Sequence, residues 1–338
     1  MGFVAYEAAH GLEKAFPQAQ AGVPLVWFGV YEDIISISPP SPPFVNGEGK
    51  QVLCGAGIPR ILFTKTGDKG ARLEPALSWQ STLSESDYYR ALRRIRDYIA
   101  AGDVYQVNYS FRLRAQWEHE QKSQTLLARF WQLYYAQPVP YAAYIDTGQH
   151  VILSLSPELL FALNGERIIS RPMKGTASRG RTLEEDVKQA QSLRCSEKNR
   201  AENLMIVDMV RNDLGRIAKT GTVRVPKLFE TERYATLWQM TSTVEAETHA
   251  PLTEIFRALF PAASITGAPK IRAVQVIREL ETTPRGTYTG AVGIVMPHRR
   301  AQFNVAIRTL VYERATEQLE YGVGSGVVWD SDKRAEYQ

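Results

Sequence analysis

From Val104 to Leu113 the chain alternates strictly: Tyr105, Val107, Tyr109, Phe111 and Leu113 take one side, and Gln106, Asn108, Ser110 and Arg112 the other. Period two is the signature of a β-strand, whose successive side chains point to opposite faces. A strand with one wholly polar face either lines a polar cavity or meets water. Before it, Tyr88, Leu92, Ile95 and Ile99 recur at helical spacing over 84–101, with Gly102 as a stop. Further strands are expected at 141–146, 151–155, 158–163 and 167–171, with Asn164-Gly165 as a tight hairpin turn. Helical stretches follow at roughly 182–194 and 196–214, the second closed by Gly215, and near 252–259. In P-A-A-S-I-T-G-A-P-K (261–270), Ser/Thr caps and an early proline are expected to open another helix through about 281. A β-meander at 287–296, 302–313 and 318–329 completes the pattern. Runs of antiparallel strands broken by blocks of helices predict an α+β fold, not an alternating βαβ sheet. Residues 35–50, rich in Pro, Ser and Gly, read as a linker. The expected organisation is a partial N-terminal β-rich segment with its linker (1–50) and a main domain (51–338).

The 338 residues, 44% of them hydrophobic, suffice for one large core or two domains. The net charge of +4 is small, and no basic run or basic–aromatic interleaving offers nucleic acid a footprint. No apolar run approaches the roughly 20 residues of a membrane span, and the N-terminal residues lack the pattern of a secretory signal. Only Cys54 and Cys195 occur, without metal-ligand spacing, which suits a reducing cytosol. The five histidines (His10, His119, His150, His249, His298) are scattered singly, so surface positions are expected for them and a histidine zinc site or triad is not. P-loop, H-E-x-x-H and strand-to-helix G-x-G-x-x-G patterns are missing. The run Gly322-Val323-Gly324-Ser325-Gly326 lies between two apolar strand-like runs, which suggests close backbone approach within a sheet.

Several residues can carry chemistry. In R-P-M-K-G-T-A-S-R-G (171–180), Lys174 sits between a strand and a Gly-Thr turn. It is a solvated loop charge, an anion holder, or an amine activated by desolvation. Arg308, inside F-N-V-A-I-R-T-L-V-Y, needs water or an anion; it suits bidentate capture of a carboxylate or a salt bridge to a core acid. Tyr288 is expected on the neighbouring strand. Glu158 follows Ser156-Pro157 at the start of a strand, Glu202 lies in a helix, and Glu336 is third from the last residue. Such acids either gather around Mg²⁺ or remain solvated charges, and their spacing does not decide between the two.

Several stretches together resemble the chorismate-utilising enzymes. They are G-D-V-Y-Q-V-N (102–108), S-P-E (156–158), R-P-M-K-G-T (171–176), A-E-N-L-M-I-V-D-M-V-R-N-D-L-G-R (201–216), S-I-T-G-A-P-K (264–270), Y-T-G-A-V-G (288–293) and G-V-G-S-G-V-V-W-D-S-D (322–332). The resemblance implies two antiparallel sheets packed together with helices outside. Within the family, P-M-K-G-T is similar to the 4-amino-4-deoxychorismate synthase component I subgroup, whereas anthranilate synthases usually carry alanine at the lysine. The opening G-F-V-A-Y-E-A-A is similar to a subgroup often fused to a C-terminal aminodeoxychorismate lyase domain. The implied reaction is Mg²⁺-dependent replacement of the chorismate C4 hydroxyl by ammonia from a glutamine amidotransferase partner, on the route to para-aminobenzoate and folate.

In that scheme Lys174 is the nucleophile at C2 and Glu158 the general acid/base, while Glu202 and Glu336 bind Mg²⁺. Gln106, Thr176, Tyr288, Arg308, Gly322 and Gly324 bind substrate. Gln106 stands where water-adding relatives carry a basic lysine, and Gln239 where many relatives have histidine. The family pattern also places a second metal glutamate three residues beyond Glu336, one residue past Gln338. A C-terminally truncated chain of weak or no activity is therefore expected. Anthranilate synthase component I, and a non-catalytic fragment that binds chorismate or the amidotransferase, are the alternative readings.

Overall fold

The computed structural model describes residues 1–12, 16, 26–30, 77–117 and 122–337. Met1–Gly29 and Leu77–Gln338 make one compact unit, and Val30–Ala76 a second. The linker at 35–50, Cys54 and His119 lie outside the described residues.

The chain opens with β1 (Gly2–Val4), a helical turn at Tyr6–Ala8, α1 (Ala9–Leu12) and β2 (Val26–Phe28). Next come β3 (Gln80–Ser81), α2 (Glu85–Ala100), β4 (Gln106–Gln116) and α3 (Lys122–Ala136). Five strands follow: β5 (Tyr141–Asp146), β6 (His150–Ser156), β7 (Leu159–Asn164), β8 (Arg167–Arg171) and β9 (Met173–Ser178). Then come α4 (Leu183–Cys195), α5 (Glu197–Gly215), β10 (Arg224–Arg233), β11 (Leu237–Glu247) and α6 (Leu252–Leu259). The last elements are β12 (Gly267–Ala268), α7 (Lys270–Leu280), β13 (Ala291–Met296), β14 (Arg300–Val305), β15 (Thr309–Glu313), β16 (Gln318–Val327) and α8 (Lys333–Tyr337).

The strands form two sheets whose pairings are all antiparallel. The first runs β10-β11-β8-β7-β14-β13-β1-β2, with β9 also paired to β11. The second runs β12-β4-β16-β15-β6-β5, with β3 on β4. A small apolar cluster of Phe3, Ile145, Ile152, Val292 and Ala306 joins residues of both sheets. A larger core packs α5 and α6 against the first sheet, and α2 and α7 cover the second. This is the expected α+β fold of two antiparallel sheets with helices. Among the described residues no helix is long and apolar enough to cross a membrane.

Helix starts follow their caps: Ser84 accepts from the Asp87 N–H at 3.2 Å, and Thr182 from that of Glu185 at 3.2 Å. The expected Ser/Thr cap at α7 is absent. Pro269 precedes that helix, while Thr266 Oγ1 donates back to the Ala262 carbonyl and Ser264 turns to Glu158. The expected strand 302–313 is two strands in different sheets, β14 and β15, so Arg308 lies between strands and not at a strand centre. Its φ of 50° is the left-handed turn that redirects the chain. The strand expected from 287 begins at Ala291, which leaves Tyr288 in a turn. M-K-G-T (173–176) lies in strand β9, not in a loop corner, and Gly175 within it takes φ 92°. His150, expected at the surface, is 7% exposed in β6. Helix α3 and strands β10 and β11 had no counterpart in the sequence reading.

Candidate active site

The alternating strand β4 is buried on both faces. Gln106, Asn108, Ser110 and Arg112 are all less than a tenth exposed, so the polar face lines the interior rather than meeting water. Gln106 Oε1 is buried without a hydrogen-bond partner. Strand β16 pairs along β4 through its glycines, with Gly326 opposite Asn108. A Cβ on Gly326 would lie 2.4 Å from Gln106 Nε2 and 3.0 Å from Lys174 Nζ. The amide and the amine thus converge over bare backbone.

Lys174 is presented by β9, which hydrogen-bonds along β11. Gln239 on β11 uses both ends of its amide: Nε2 donates to the Gly175 carbonyl at 2.8 Å, and Oε1 accepts from Thr176 Oγ1 at 3.0 Å. Asn203 Nδ2 reaches the Lys174 carbonyl at 3.5 Å, and Asn203 Oδ1 accepts from Ser242 Oγ at 2.6 Å. The backbone of Lys174 and Gly175 is therefore held from two sides. Burial pushes the Lys174 ammonium below the usual lysine range, against the opposing pull of Glu202, Glu158 and Glu336. Those three carboxylates come from α5, the β6–β7 crossing and α8, so the fold gathers acids that are far apart in sequence.

Glu158 is 4% exposed. Burial raises its carboxyl from 4.5 to about 7, although the Ser264 hydroxyl, which donates to Oε1 at 2.5 Å, and the Lys174 charge favour the ionised form. Near neutrality it can both give and take a proton. Glu202 and Glu336 are half-buried. The Glu336 helix is seated by Tyr88, whose hydroxyl donates to the Glu336 carbonyl at 3.2 Å and whose ring lies 5.2 Å from that of Tyr337. Among the described residues no group of three or more His, Cys, Asp or Glu is placed to hold a metal ion alone. A pair of carboxylates matches the donor set of Mg²⁺, which keeps waters and takes substrate oxygens for its remaining positions.

Tyr288 is held between Arg112, whose guanidinium carbon lies 4.9 Å from the ring centroid, and Gly322, where a Cβ would come 2.1 Å from the ring. A Cβ on Gly324 would instead meet the Tyr109 carbonyl at 2.5 Å, so Gly324 serves strand pairing. Arg308 lines a cavity of about 460 Å³ with Leu113, Leu155, Leu310 and Tyr321. Its Nη1 is buried without a hydrogen-bond partner. Burial raises the Tyr321 hydroxyl against the opposing pull of the Arg308 charge, and Tyr321 in turn bears on Tyr288. Arg308 and Tyr288 are thus linked through Tyr321. Sequence reading missed Gly326, Ser264 and Asn203. All three lie in segments that carry the family resemblance, 322–332, 264–270 and 201–216, but no role was assigned to them there.

Two outcomes follow from this geometry. The contacts of a Gly326 Cβ are side-chain ends, so Gly326→Ala should keep stability within about 1 kcal/mol. Urea unfolding checks this, and a loss of several kcal/mol would contradict the placement of the Gln106 and Lys174 side-chain ends beside Gly326. For Glu158, a folded-state pKa of about 7 above the usual 4.5 means that its protonated form is the stabilising one. That contribution is complete below pH 4.5 and is lost as pH rises through 7. Glu158→Gln should therefore gain stability over wild type between pH 4.5 and 8, by roughly 3 kcal/mol at 1.36 kcal/mol per unit. Urea unfolding at the two pH values measures the difference, and an advantage of Glu158→Gln over wild type that grew on acidification would reverse the sign and refute the burial argument.

The sequence pattern of the chorismate binding enzyme family matches residues 1–338. The aminodeoxychorismate synthase component 1 of Bacillus subtilis (strain 168) is 40% identical over 271 residues, which cover 78% of this chain and 55% of that protein. The anthranilate synthase component 1 of Aquifex aeolicus (strain VF5) is 38% identical over 263 residues, covering 77% and 52%. The chain thus spans little more than half the length of these curated relatives. The crystal structure of anthranilate synthase component I from Streptococcus pneumoniae TIGR4 superposes with a TM-score of 0.80 at 26% identity, covering 100% of this chain and 77% of that one. On sequence and on fold alike, the chain belongs to the chorismate binding enzyme family.

Proposed function

We propose that the chain is the chorismate-aminating component of an aminodeoxychorismate synthase, fed with ammonia by a glutamine amidotransferase subunit. The observation that carries this reading is the half-buried Lys174 amine, which meets Gln106 over the Gly326 backbone and lies in the field of Glu158, Glu202 and Glu336. A lysine in that state has a usable lone pair near neutral pH.

The Lys174 amine attacks C2 of chorismate, the ring double bonds shift, and the C4–O bond breaks. Glu158 gives its proton to the departing hydroxyl, which leaves as water. Ammonia then forms a bond to C4, the double bonds shift back, and the C2–N bond to Lys174 breaks. Glu158 recovers its proton from the newly added ammonium, so atoms and charges balance. Gln106 and the Gly326 backbone line the ring near the amine, and the unpartnered Nη1 of Arg308 suits a substrate carboxylate. Glu202 and Glu336 would hold a Mg²⁺ ion, which would supply positive charge for the ring carboxylate.

Relatives named as anthranilate synthases match almost as well as those named as aminodeoxychorismate synthases, so the product decides between the two. The chain, in molar excess over chorismate with ammonium and Mg²⁺, should yield aminodeoxychorismate by mass spectrometry. Anthranilate would overturn the subgroup, and neither product would overturn the reading. Lys174→Ala should lower the single-turnover rate by on the order of 10³ or more. An unchanged rate would remove Lys174 as nucleophile.

A further inference from the structure

Arg285, 2% exposed, stands three residues before Tyr288 and touches several parts of the site at once. Its Nη2 donates to the Asn108 carbonyl at 2.6 Å, two residues beyond Gln106 on β4. Its Nη1 donates to the Ile265 carbonyl at 2.9 Å, next to the Ser264 that holds Glu158. Nε and Nη2 also reach the Glu281 carboxylate just past α7, at 3.0 and 2.6 Å. One guanidinium thus joins the amide strand, the loop that supports the acid, and the turn that carries Tyr288.

The backbone of that turn is fixed by an acid from the other end of the chain. Glu7, 7% exposed, accepts the Arg285 N–H at 2.6 Å on Oε1 and the Gly286 N–H at 3.0 Å on Oε2. The neighbouring Tyr6 N–H donates to the Gly286 carbonyl at 2.9 Å, and the Tyr6 ring lies 4.6 Å from the Arg285 guanidinium carbon. A carboxylate spanning two successive N–H groups sets the direction of both peptide planes, and a buried charged acceptor makes these bonds strong. Tyr288 cannot adapt to a displaced turn, because Gly322 and Arg112 already press on its two sides.

We propose that Glu7 is a positioning residue of the site: by clamping the Arg285–Gly286 turn it sets Tyr288 directly and, through Arg285, the Ser264–Glu158 and Gln106 arms. The substrate side of this inference rests on the function proposed above; the clamp itself does not.

Glu7→Gln keeps the shape but removes the charge, and it turns an amide N–H₂ toward one of the two donors. Hydrogen exchange of the full chain should become at least about tenfold faster in peptides covering 262–268 and 285–290, with α5 unchanged. By calorimetry the variant should bind chorismate about tenfold more weakly. Unchanged exchange at 285–290, or acceleration spread evenly over the chain, overturns the clamp. Local loosening with unchanged affinity overturns the positioning role. If wild type itself does not bind chorismate, the functional reading fails while the exchange result still decides the clamp. Should the variant not fold, wild type carries the test: the Arg285 and Gly286 amides should exchange as slowly as the β14 ladder, and fast exchange there overturns the proposal.

Discussion

Two passages of chain cross between the sheets side by side, and the site depends on the hydrogen bonds between them. Strand β6 leaves the second sheet at Ser156 and enters the first as β7; β14 leaves the first at Val305 and enters the second as β15. The Val305 N–H donates to the Glu158 carbonyl at 3.0 Å, the Leu155 N–H to the Arg308 carbonyl at 3.0 Å, and Ser156 Oγ to the Val305 carbonyl at 2.6 Å. A strand that changes sheets leaves its ladder, and each buried polar group left unpaired there would cost about 1–3 kcal/mol. By pairing with each other the crossings avoid that cost, and each delivers one polar side chain, Glu158 or Arg308, beside the gap between sheets.

Around this frame, the charges of Arg285, Arg179 and Lys270 are each answered by an acid. Arg285 meets Glu281 and three carbonyl or hydroxyl acceptors, and Arg179 pairs with Asp186 through two hydrogen bonds of 2.6 Å. Lys270 and Asp213 form a contact of 2.5 Å behind the Ser264 loop. Lys174 differs: carboxylates bear on it from three elements, yet burial still holds its amine toward the neutral form. Gln106 Oε1 and Arg308 Nη1 are buried and unpartnered, which leaves each able to meet a bound polar group.

Much of this was legible in the sequence, because most of the signals are local. The period-two run placed β4, Asn164-Gly165 placed the β7–β8 hairpin, and helical spacing with the Gly102 stop placed α2. The Ala306–Arg308 break was not legible, since an apolar strand pattern continues unbroken while the chain changes sheets. Strand β10 was missed because it is an irregular, half-exposed edge with Pro226 and many charges, which reads as loop. Residue types at Lys174, Glu158, Glu202 and Glu336 marked candidates, but their convergence is a property of topology. Gly322 and Gly326 show the limit well: the run of glycines announced close approach, and only the fold shows that one meets Tyr288 and the other Lys174 and Gln106.

The central claim is that Lys174 is a desolvated amine held ready by its surroundings. The most direct measurement is an NMR pH titration of the folded chain after reductive methylation with ¹³C, with the Lys174 resonance assigned by its loss in Lys174→Arg. A midpoint below the usual lysine value of about 10.4 is the predicted result. A midpoint at or above it would mean that the three carboxylates outweigh burial, leaving Lys174 a charged anchor and not a nucleophile.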